Sequence, residues 1–309
     1  MPPIIITDTK APKIPKVTRA AAADDAVDNL PRGVELTGGS KLRKKGLTGK
    51  GVRVAVIDSG VDEAHPGFDG KVTYQLWLRY GTDLSEDDHG THVAGTIHML
   101  APDAEIYDYR VFGKEGWEVD DAISTSIFEA CFDGCDIINM SLGGRWPSVS
   151  IRTAVQYAYS KGVIVVCAAG NEGDGDAMTN ERSYPAMWDE AISVAAVSKE
   201  GDLPVAYFSN TNPQVDYSGI GVDALSFKPG GGNQVMSGTS MACPHVCGLI
   251  AALLDKTDGY DNILLKDDKT LRKLLKKKFL IDIGVKGPDN ETGLGFLTFL
   301  TKQEFDDMW

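Results

Sequence analysis

From Gly51 onward, short apolar runs rich in β-branched residues alternate with segments of helical periodicity, beginning with VRVAVID (52–58). Strands buried on both faces are continuously apolar, and parallel neighbours need a crossover helix. The alternation therefore predicts an α/β fold with a doubly wound, mostly parallel central sheet and helices on both faces, in a single domain. The predicted strands are 52–58, 104–112, 135–142, 163–170 and 191–197, and the predicted helices are 89–99, 120–134, 150–162, 239–254 and 270–279.

The first 45 residues differ from the rest of the chain, because they combine prolines, an alanine-rich patch and charges without clean periodicity. We interpret residues 1–45 as an extended arm in front of a domain formed by residues 46–309.

The composition is that of a globular domain, with 42% apolar and 24% charged residues in 309. A net charge of −13 argues against nucleic acid or an anionic membrane as a partner. The first residues, MPPIIITDTK, lack the basic segment and long apolar core of a signal peptide, and no run reaches the roughly 18 apolar residues of a membrane span. We therefore expect a cytoplasmic protein, with a trimmed secreted form as the alternative.

The five cysteines form an odd set within apolar segments, which favours free thiols and a reducing compartment over disulfides. Cys243 and Cys247 have the spacing of one helical turn, but no second pair supports a zinc site. The basic run LRKLLKKK (271–278) has leucines at helical spacing and predicts a helix with a solvated charged face.

Polar residues stand where the predicted strands end, namely Asp58, Ser141 and Asn171, while His89 and Ser240 fall at helix starts. Sites in open α/β sheets form at the carboxyl ends of the strands, so these side chains are expected on one rim. A carboxylate, an imidazole, a hydroxyl and an amide are the groups that acyl transfer needs. Taken singly, each has a structural alternative as a turn or helix-cap residue.

Five blocks carry a more specific signal: DSG (58–60), HGTHVAGT (89–96), NMSLGG (139–144), AAGNEG (168–173) and SGTSMACPHV (237–246). In this order they resemble the subtilisin-like serine proteases, or subtilases, from about Gly46 to Leu300, with some resemblance to the intracellular subtilisins. The resemblance implies that Asp58, His89 and Ser240 form a catalytic triad and that Asn171 donates to the oxyanion. The backbone N–H of Ser240 is expected as the second donor.

Two residues behind Ser240 are expected to shape its helix rather than react. Pro244 lacks an N–H, so the carbonyl of Ser240 should lose its helical partner. His245, like His92 after the predicted catalytic histidine, is interpreted as a packed structural histidine.

The resemblance also implies a substrate pocket for the side chain that precedes the cleaved bond, bounded by two backbone segments and a floor. Peptide substrates of the family pair with such segments as an added strand. The implied pocket residues are Ser141, Leu142, Gly143, Ala168, Ala169, Gly170 and Ser183.

Two departures from the family pattern stand out. The helix after His89 continues to the next strand without the usual calcium-binding loop, so we expect no cofactor; the acidic stretch DLSEDD (83–88) is then a solvated loop, with calcium binding as the alternative. The segment before Gly46 is too short for a folded propeptide. Lys13-Ile14-Pro15 within it could instead lie across the active site, where proline would resist cleavage, or the arm could be a disordered tail.

The expected function is that of a serine endopeptidase that acts on polypeptides through an acyl-enzyme intermediate. The alternative is a catalytically silent subtilase-fold module that binds proteins. A third hypothesis, a nucleotide-binding protein, is suggested by PGGGNQVMSGTS (229–240), but this stretch lacks the lysine of a phosphate loop.

Overall fold

A computed structural model describes residues 30–257 and 268–309, together with the backbone of residues 18–20. The strands are β1 (Thr18–Ala20), β2 (Arg53–Asp58), β3 (Val72–Trp77), β4 (Arg79–Tyr80), β5 (Glu105–Arg110), β6 (Glu115–Gly116), β7 (Ile137–Met140), β8 (Ile164–Ala168), β9 (Ile192–Ser198), β10 (Tyr217–Val222), β11 (Ala224–Phe227), β12 (Asn233–Ser237), β13 (Leu280–Ile281) and β14 (Phe296–Leu297). The helices are α1 (Arg32–Thr37), α2 (Gly39–Lys44), α3 (His89–Leu100), α4 (Val119–Phe132), α5 (Val149–Ser160), α6 (Thr239–Leu253), α7 (Asp268–Lys278) and α8 (Lys302–Asp306).

Nine strands form the central sheet, in the order β13-β14-β10-β9-β8-β7-β2-β5-β3. Every neighbouring pair is parallel except β13 and β14. The predicted fold class, a doubly wound α/β domain, is confirmed. The ends of the predicted strands and helices differ from the observed ones by at most two residues.

Strand β2 shows how the sequence builds two cores. Its residues alternate between the two faces of the sheet. Val54 and Val56 join one buried cluster with residues of α3 and α6, whereas Ala55 and Ile57 join the other with residues of α4 and α5. Both faces are therefore apolar, which explains the continuous apolar run.

The N-terminal region differs from the prediction. Residues 32–44, assigned above to an extended arm, form α1 and α2, because Val34, Leu36 and Leu42 bury their side chains in the domain. Gly38, with φ of 100°, ends α1 in the left-handed conformation that favours glycine. Upstream, β1 pairs antiparallel with β12. Lys13-Ile14-Pro15 lies outside the described residues.

Strand β10, whose sequence YSGIGV contains two glycines, was not predicted from the sequence. A Cβ at Gly219 would lie 2.6 Å from the Ala242 carbonyl oxygen, so glycine lets α6 approach the strand closely. The missed strands β11 and β12 form an antiparallel hairpin, and Gly230–Gly232 lie in its loop. A phosphate loop joins a strand to a helix, so this hairpin does not support the nucleotide-binding interpretation.

Helix α7 has the amphipathic form that was predicted. Leu271 and Leu275 are buried, and the lysines of its last turn are exposed. Among the described helices, none is long and apolar enough to cross a membrane.

Candidate active site

The fold brings the predicted site residues to one edge of the sheet. Strands β8, β7 and β2 are neighbours; Asp58 ends β2, Ser141 follows β7, and Asn171 lies three residues beyond β8. His89 is the first residue of α3 and Ser240 is the second residue of α6. The carboxyl ends of parallel strands and the starts of the helices that follow them share this edge.

Asp58 and His89 are in direct contact in the interior. The Nδ1 atom of His89 lies 2.7 Å from Oδ1 of Asp58, and both side chains are buried. The Ser59 backbone N–H also donates to this oxygen, at 2.7 Å. A carboxylate accepts, so Nδ1 carries the proton and Nε2 is left free to act as a base.

Ser240 makes two contacts with Ser141. Its hydroxyl donates to the Ser141 carbonyl at 3.1 Å, and its own carbonyl accepts from the Ser141 hydroxyl at 2.8 Å. Within the described residues, His89 Nε2 has no hydrogen-bond partner, so the Ser240 hydroxyl is directed to Ser141 here. The cap of α6 is Gly238 and no side chain caps the helix, which excludes the helix-cap alternative for Ser240.

Asn171 is held by the residue before Ser240. Its Oδ1 atom accepts from the Thr239 backbone N–H at 2.8 Å and from the Thr239 hydroxyl at 2.7 Å. The amide nitrogen lies 3.1 Å from the position that a Cβ would take at Gly238. The oxygen is thus used in fixing the side chain, and the N–H₂ end lies beside the start of α6.

The two predicted pocket walls both reach the Ser240 segment. Ser141 contacts Ser240, and the Gly170 backbone N–H donates to the Thr239 hydroxyl at 3.1 Å. Ser183 lies against the first wall, since a Cβ at Gly143 would overlap its Oγ atom. Leu142, Ala168 and Ala169 are buried.

Two further histidines near the site are buried in apolar surroundings. Burial lowers the pKa of His92 to about 3, and the Nε2 atom donates to the carbonyls of Ala224 and Gln234. Burial lowers the pKa of His245 to about 4, and its Nδ1 atom donates to the Met241 carbonyl. Both are therefore neutral near pH 7 and connect structural elements.

Sequence reasoning missed two hydroxyl groups that hold the site together. Thr239 links Asn171 to Gly170, as described above. Ser59 donates to the Asp87 carbonyl at 2.9 Å and accepts from the Gly90 N–H at 3.0 Å, which joins the turn after Asp58 to the start of α3. Ser59 lies in DSG (58–60) and Thr239 lies in GTS (238–240). The only sequence signal for either residue is its position next to Asp58 or Ser240.

All five cysteines are free thiols, and four of them are buried. Burial raises the pKa of Cys243, which lies behind Ser240 and donates to Asn139. No group of three or more His, Cys, Asp or Glu side chains in the described part of the chain has the arrangement of a metal site.

Residues 49–295 match the family model of the subtilases, and this range holds every predicted site residue. The chain belongs to the subtilase family. The predicted enzyme class, a serine endopeptidase, is thereby confirmed.

Several curated proteins resemble the chain over most of its length. The intracellular serine protease of Paenibacillus polymyxa is 36% identical and covers 89% of this chain and 87% of its own. The major intracellular serine protease of Bacillus subtilis (strain 168) is 34% identical, with 94% of each chain covered. Subtilisin E of the same strain is 35% identical over 84% of this chain and 70% of its own.

Proposed function

We propose that the chain hydrolyses peptide bonds through a triad of Asp58, His89 and Ser240. The observation that carries the proposal is the buried contact of 2.7 Å between His89 Nδ1 and Asp58 Oδ1. In the neutral imidazole this contact places the proton on Nδ1, which leaves Nε2 as the acceptor at the edge of the sheet where Ser240 lies. Rotation of the Ser240 side chain away from the Ser141 carbonyl then lets His89 accept its proton.

The reaction proceeds in two halves. Ser240 Oγ attacks the substrate carbonyl as His89 takes its proton, and the amine leaves with that proton to give an acyl-enzyme. Water, deprotonated by His89, then releases the acid and regenerates Ser240. Asp58 stabilises the imidazolium in both halves, and the Asn171 amide and the Ser240 backbone N–H donate to the oxyanion.

Peptide substrates lie between the segments 141–143 and 168–170, with Ser183 at the pocket floor. The contacts of both segments with Thr239 and Ser240 support this placement, since they fix the walls relative to the nucleophile. Backbone groups at such walls bind an extended peptide as an added strand.

Labelling by a fluorophosphonate tests the nucleophile. We expect the full chain to gain one adduct on Ser240 and to cleave a casein-type substrate, and Ser240→Ala to lose both. Ser160→Ala, an exposed helical serine, is the matched control and should react as the native chain does. A folded chain that neither labels nor cleaves, both with and without residues 1–20, would favour the protein-binding module instead.

We also propose that the N-terminal arm restrains activity. Thr18 is paired with Ser237 and Ala20 with Val235, so the described part of the arm lies beside the strand that leads to Ser240. Deletion of residues 1–20 should raise peptidase activity, and Pro15→Gly should speed removal of the arm. Equal activity of the native and deleted chains would contradict this role.

Catalysis is proposed to need no cofactor. Helix α3 runs unbroken from His89 to Leu100, and β5 begins at Glu105, which leaves no inserted loop between them. Chelation with EDTA should therefore leave kcat and the unfolding temperature unchanged. A fall in either that calcium restores would instead support an ion at the acidic loop 83–88.

An intracellular location is proposed on two grounds. Two of the relatives are named intracellular serine proteases, and the five cysteines of this chain are all unpaired. Fractionation of the source cells with an antibody against the chain tests this, and recovery from the culture medium alone would contradict it.

A further inference from the structure

A polar cluster lies on the same face of the sheet as Asp58. In the parallel register, Asp58 pairs with Arg110 and Val56 pairs with Asp108. On the other side of β5, Asp108 pairs with Gln75 and Arg110 pairs with Trp77. Residues that are paired in register point to the same face. We call Gln75, Trp77, Asp108 and Arg110 the Asp108 cluster.

Asp108 is fully buried, which is costly for a carboxyl group unless it has partners. Its Oδ2 atom accepts from the indole Nε1 of Trp77 at 2.7 Å and from Nε2 of Gln75 at 3.0 Å. Within the described residues, the other oxygen, Oδ1, is buried without a hydrogen-bond partner. The side-chain donors of Trp77 and Gln75 thus bind the carboxyl group through one of its oxygens.

Gln75 extends this contact to the turn that follows Asp58. The same Nε2 atom donates to the Val61 carbonyl at 3.0 Å. One residue further, the Asp62 backbone N–H donates to the Thr91 hydroxyl in α3 at 3.0 Å. The segment 59–62 is therefore held between Gln75 on the sheet and the first turns of the helix that begins with His89.

Arg110 holds the other side of the same helix start. It donates to the Thr82 carbonyl at 2.7 Å and to Oδ2 of Asp87 at 3.2 Å, and its guanidinium group lies 4.9 Å from the centre of the Trp77 ring. The Asp87 carbonyl in turn accepts from Ser59. The Asp108 cluster thus contacts both the turn that follows Asp58, through Gln75, and the segment that precedes His89, through Arg110.

We propose that Asp108 is a positioning residue for the Asp58–His89 pair, acting through Gln75 and the Val61 carbonyl, and that its charge state sets how firmly the segment 59–62 is held. The role in catalysis rests on the triad proposed above. Asp108 touches neither substrate nor the reacting atoms. It acts by fixing the turn after β2, which is hydrogen-bonded to the start of α3.

Burial, together with the negative charge of Asp58, raises the pKa of Asp108 to about 7, against hydrogen bonds from Trp77, the Val61 backbone N–H and Gln75 that favour the charged form. Asp58 on β2 is the charged group that acts on Asp108, and Arg110, two residues along β5, is paired with Asp58 and bonded to Asp87. Strand β3 contributes only neutral side chains. Hydrogen bonds to an ionised carboxylate are about twice as strong as those to a neutral group. As the pH rises through about 7, the hydrogen bond from Gln75 to Asp108 therefore becomes stronger, and Gln75 fixes segment 59–62 more firmly.

The first test measures the titration of the Asp108 cluster independently of catalysis. In full-length Ser240→Ala, the Trp77 indole N–H resonance should titrate with a midpoint near pH 7. Asp108→Asn should abolish that titration, whereas Asp103→Asn, an acid outside the cluster, should preserve it. A Trp77 resonance that does not titrate, or that titrates equally in Asp108→Asn, would overturn the proposed charge switch.

The second test uses kcat and KM to measure whether the Asp108 cluster positions the Asp58–His89 pair. Gln75→Ala should lower kcat about 10-fold with little change in KM, because Gln75 does not touch substrate. Asp108→Asn keeps one acceptor oxygen and should lose less, and the double variant should be no worse than Gln75→Ala alone. Unfolding temperatures show that the variants fold. Full kcat in both single variants would overturn the positioning role, whereas a native chain without Ser240 labelling would refute the triad instead.

Discussion

The hydroxyl group of Ser141 donates to the carbonyl of Ser240 at 2.8 Å, and this carbonyl is the one that Pro244 leaves without a helical donor. Proline lacks the N–H that would bond to the carbonyl four residues earlier. The side chain at the end of β7 thus replaces a missing backbone bond in α6. The sheet and the helix that carries Ser240 are joined at the nucleophile itself.

Removal of the Ser141 hydroxyl should therefore destabilise the chain. We expect Ser141→Ala, in the inactive Ser240→Ala background, to lose about 1–3 kcal/mol of unfolding free energy, because a buried carbonyl loses its partner. Pro244→Ala restores a backbone N–H at the correct position. The double variant should recover part of the loss in urea unfolding, and strictly additive losses would contradict the exchange of donors.

The N–H₂ group of the Asn171 amide should contribute to kcat. Asn171→Asp keeps the oxygen that Thr239 binds but loses the N–H₂ group. A hydrogen bond to a charged oxyanion is worth about 1.5–3 kcal/mol, so kcat should fall about 10-fold or more with little change in KM. Thr239→Val, which loosens Asn171 without removing its donor, should lose less. A fall confined to KM would place Asn171 in ground-state binding instead.

Close approach at Gly90 should be required for the Asp58–His89 contact. A Cβ at this residue would lie 2.5 Å from the Gly60 carbonyl oxygen, and a backbone atom cannot move aside cheaply. Gly90→Ala should push α3 away from the turn after Asp58 and lower kcat by about 100-fold. Ala94→Gly, in the same helix, should reduce stability by about 1 kcal/mol and leave kcat nearly unchanged. Kinetics and thermal unfolding of both variants distinguish these effects.

The sequence indicates the central sheet well because local pattern and tertiary burial agree there. Strand β2 is apolar on both faces, and each face meets its own pair of helices. Asp58, His89, Ser240 and Asn171 could be nominated because strand ends and helix starts share one edge of a parallel sheet.

Other features depend on contacts between distant residues and leave no local signal. Strand β10 has a weak strand pattern because Gly219 and Gly221 serve the packing of α6 and the Gly238 segment. Helices α1 and α2 are short and surrounded by glycine and lysine, so their apolar residues indicate burial only once the domain is present. In the sequence Asp108 is a single polar residue within a strand. Its role depends on its partners Gln75 and Trp77 on β3, which only the structure shows.

Acidification should destabilise the fold through its buried histidines. Burial lowers the pKa of His92 to about 3 and the pKa values of His98 and His245 to about 4, below the 6.5 of an unfolded chain. Between these values the unfolded chain binds more protons, so stability is full above pH 6.5 and is lost as the pH falls. At pH 5 the loss should approach about 2 kcal/mol for each histidine.

Urea unfolding of Ser240→Ala between pH 7.5 and 5 measures this loss, and His245→Gln removes one of the groups. The variant is expected to be less stable at pH 7.5, because it loses the bond to the Met241 carbonyl. Its stability should nevertheless fall less steeply with acid, since one proton fewer is taken up on unfolding. Exposed Lys273→Gln is the control and should keep the native slope. Parallel curves for the native and His245→Gln chains would show that His245 is already protonated in the folded protein.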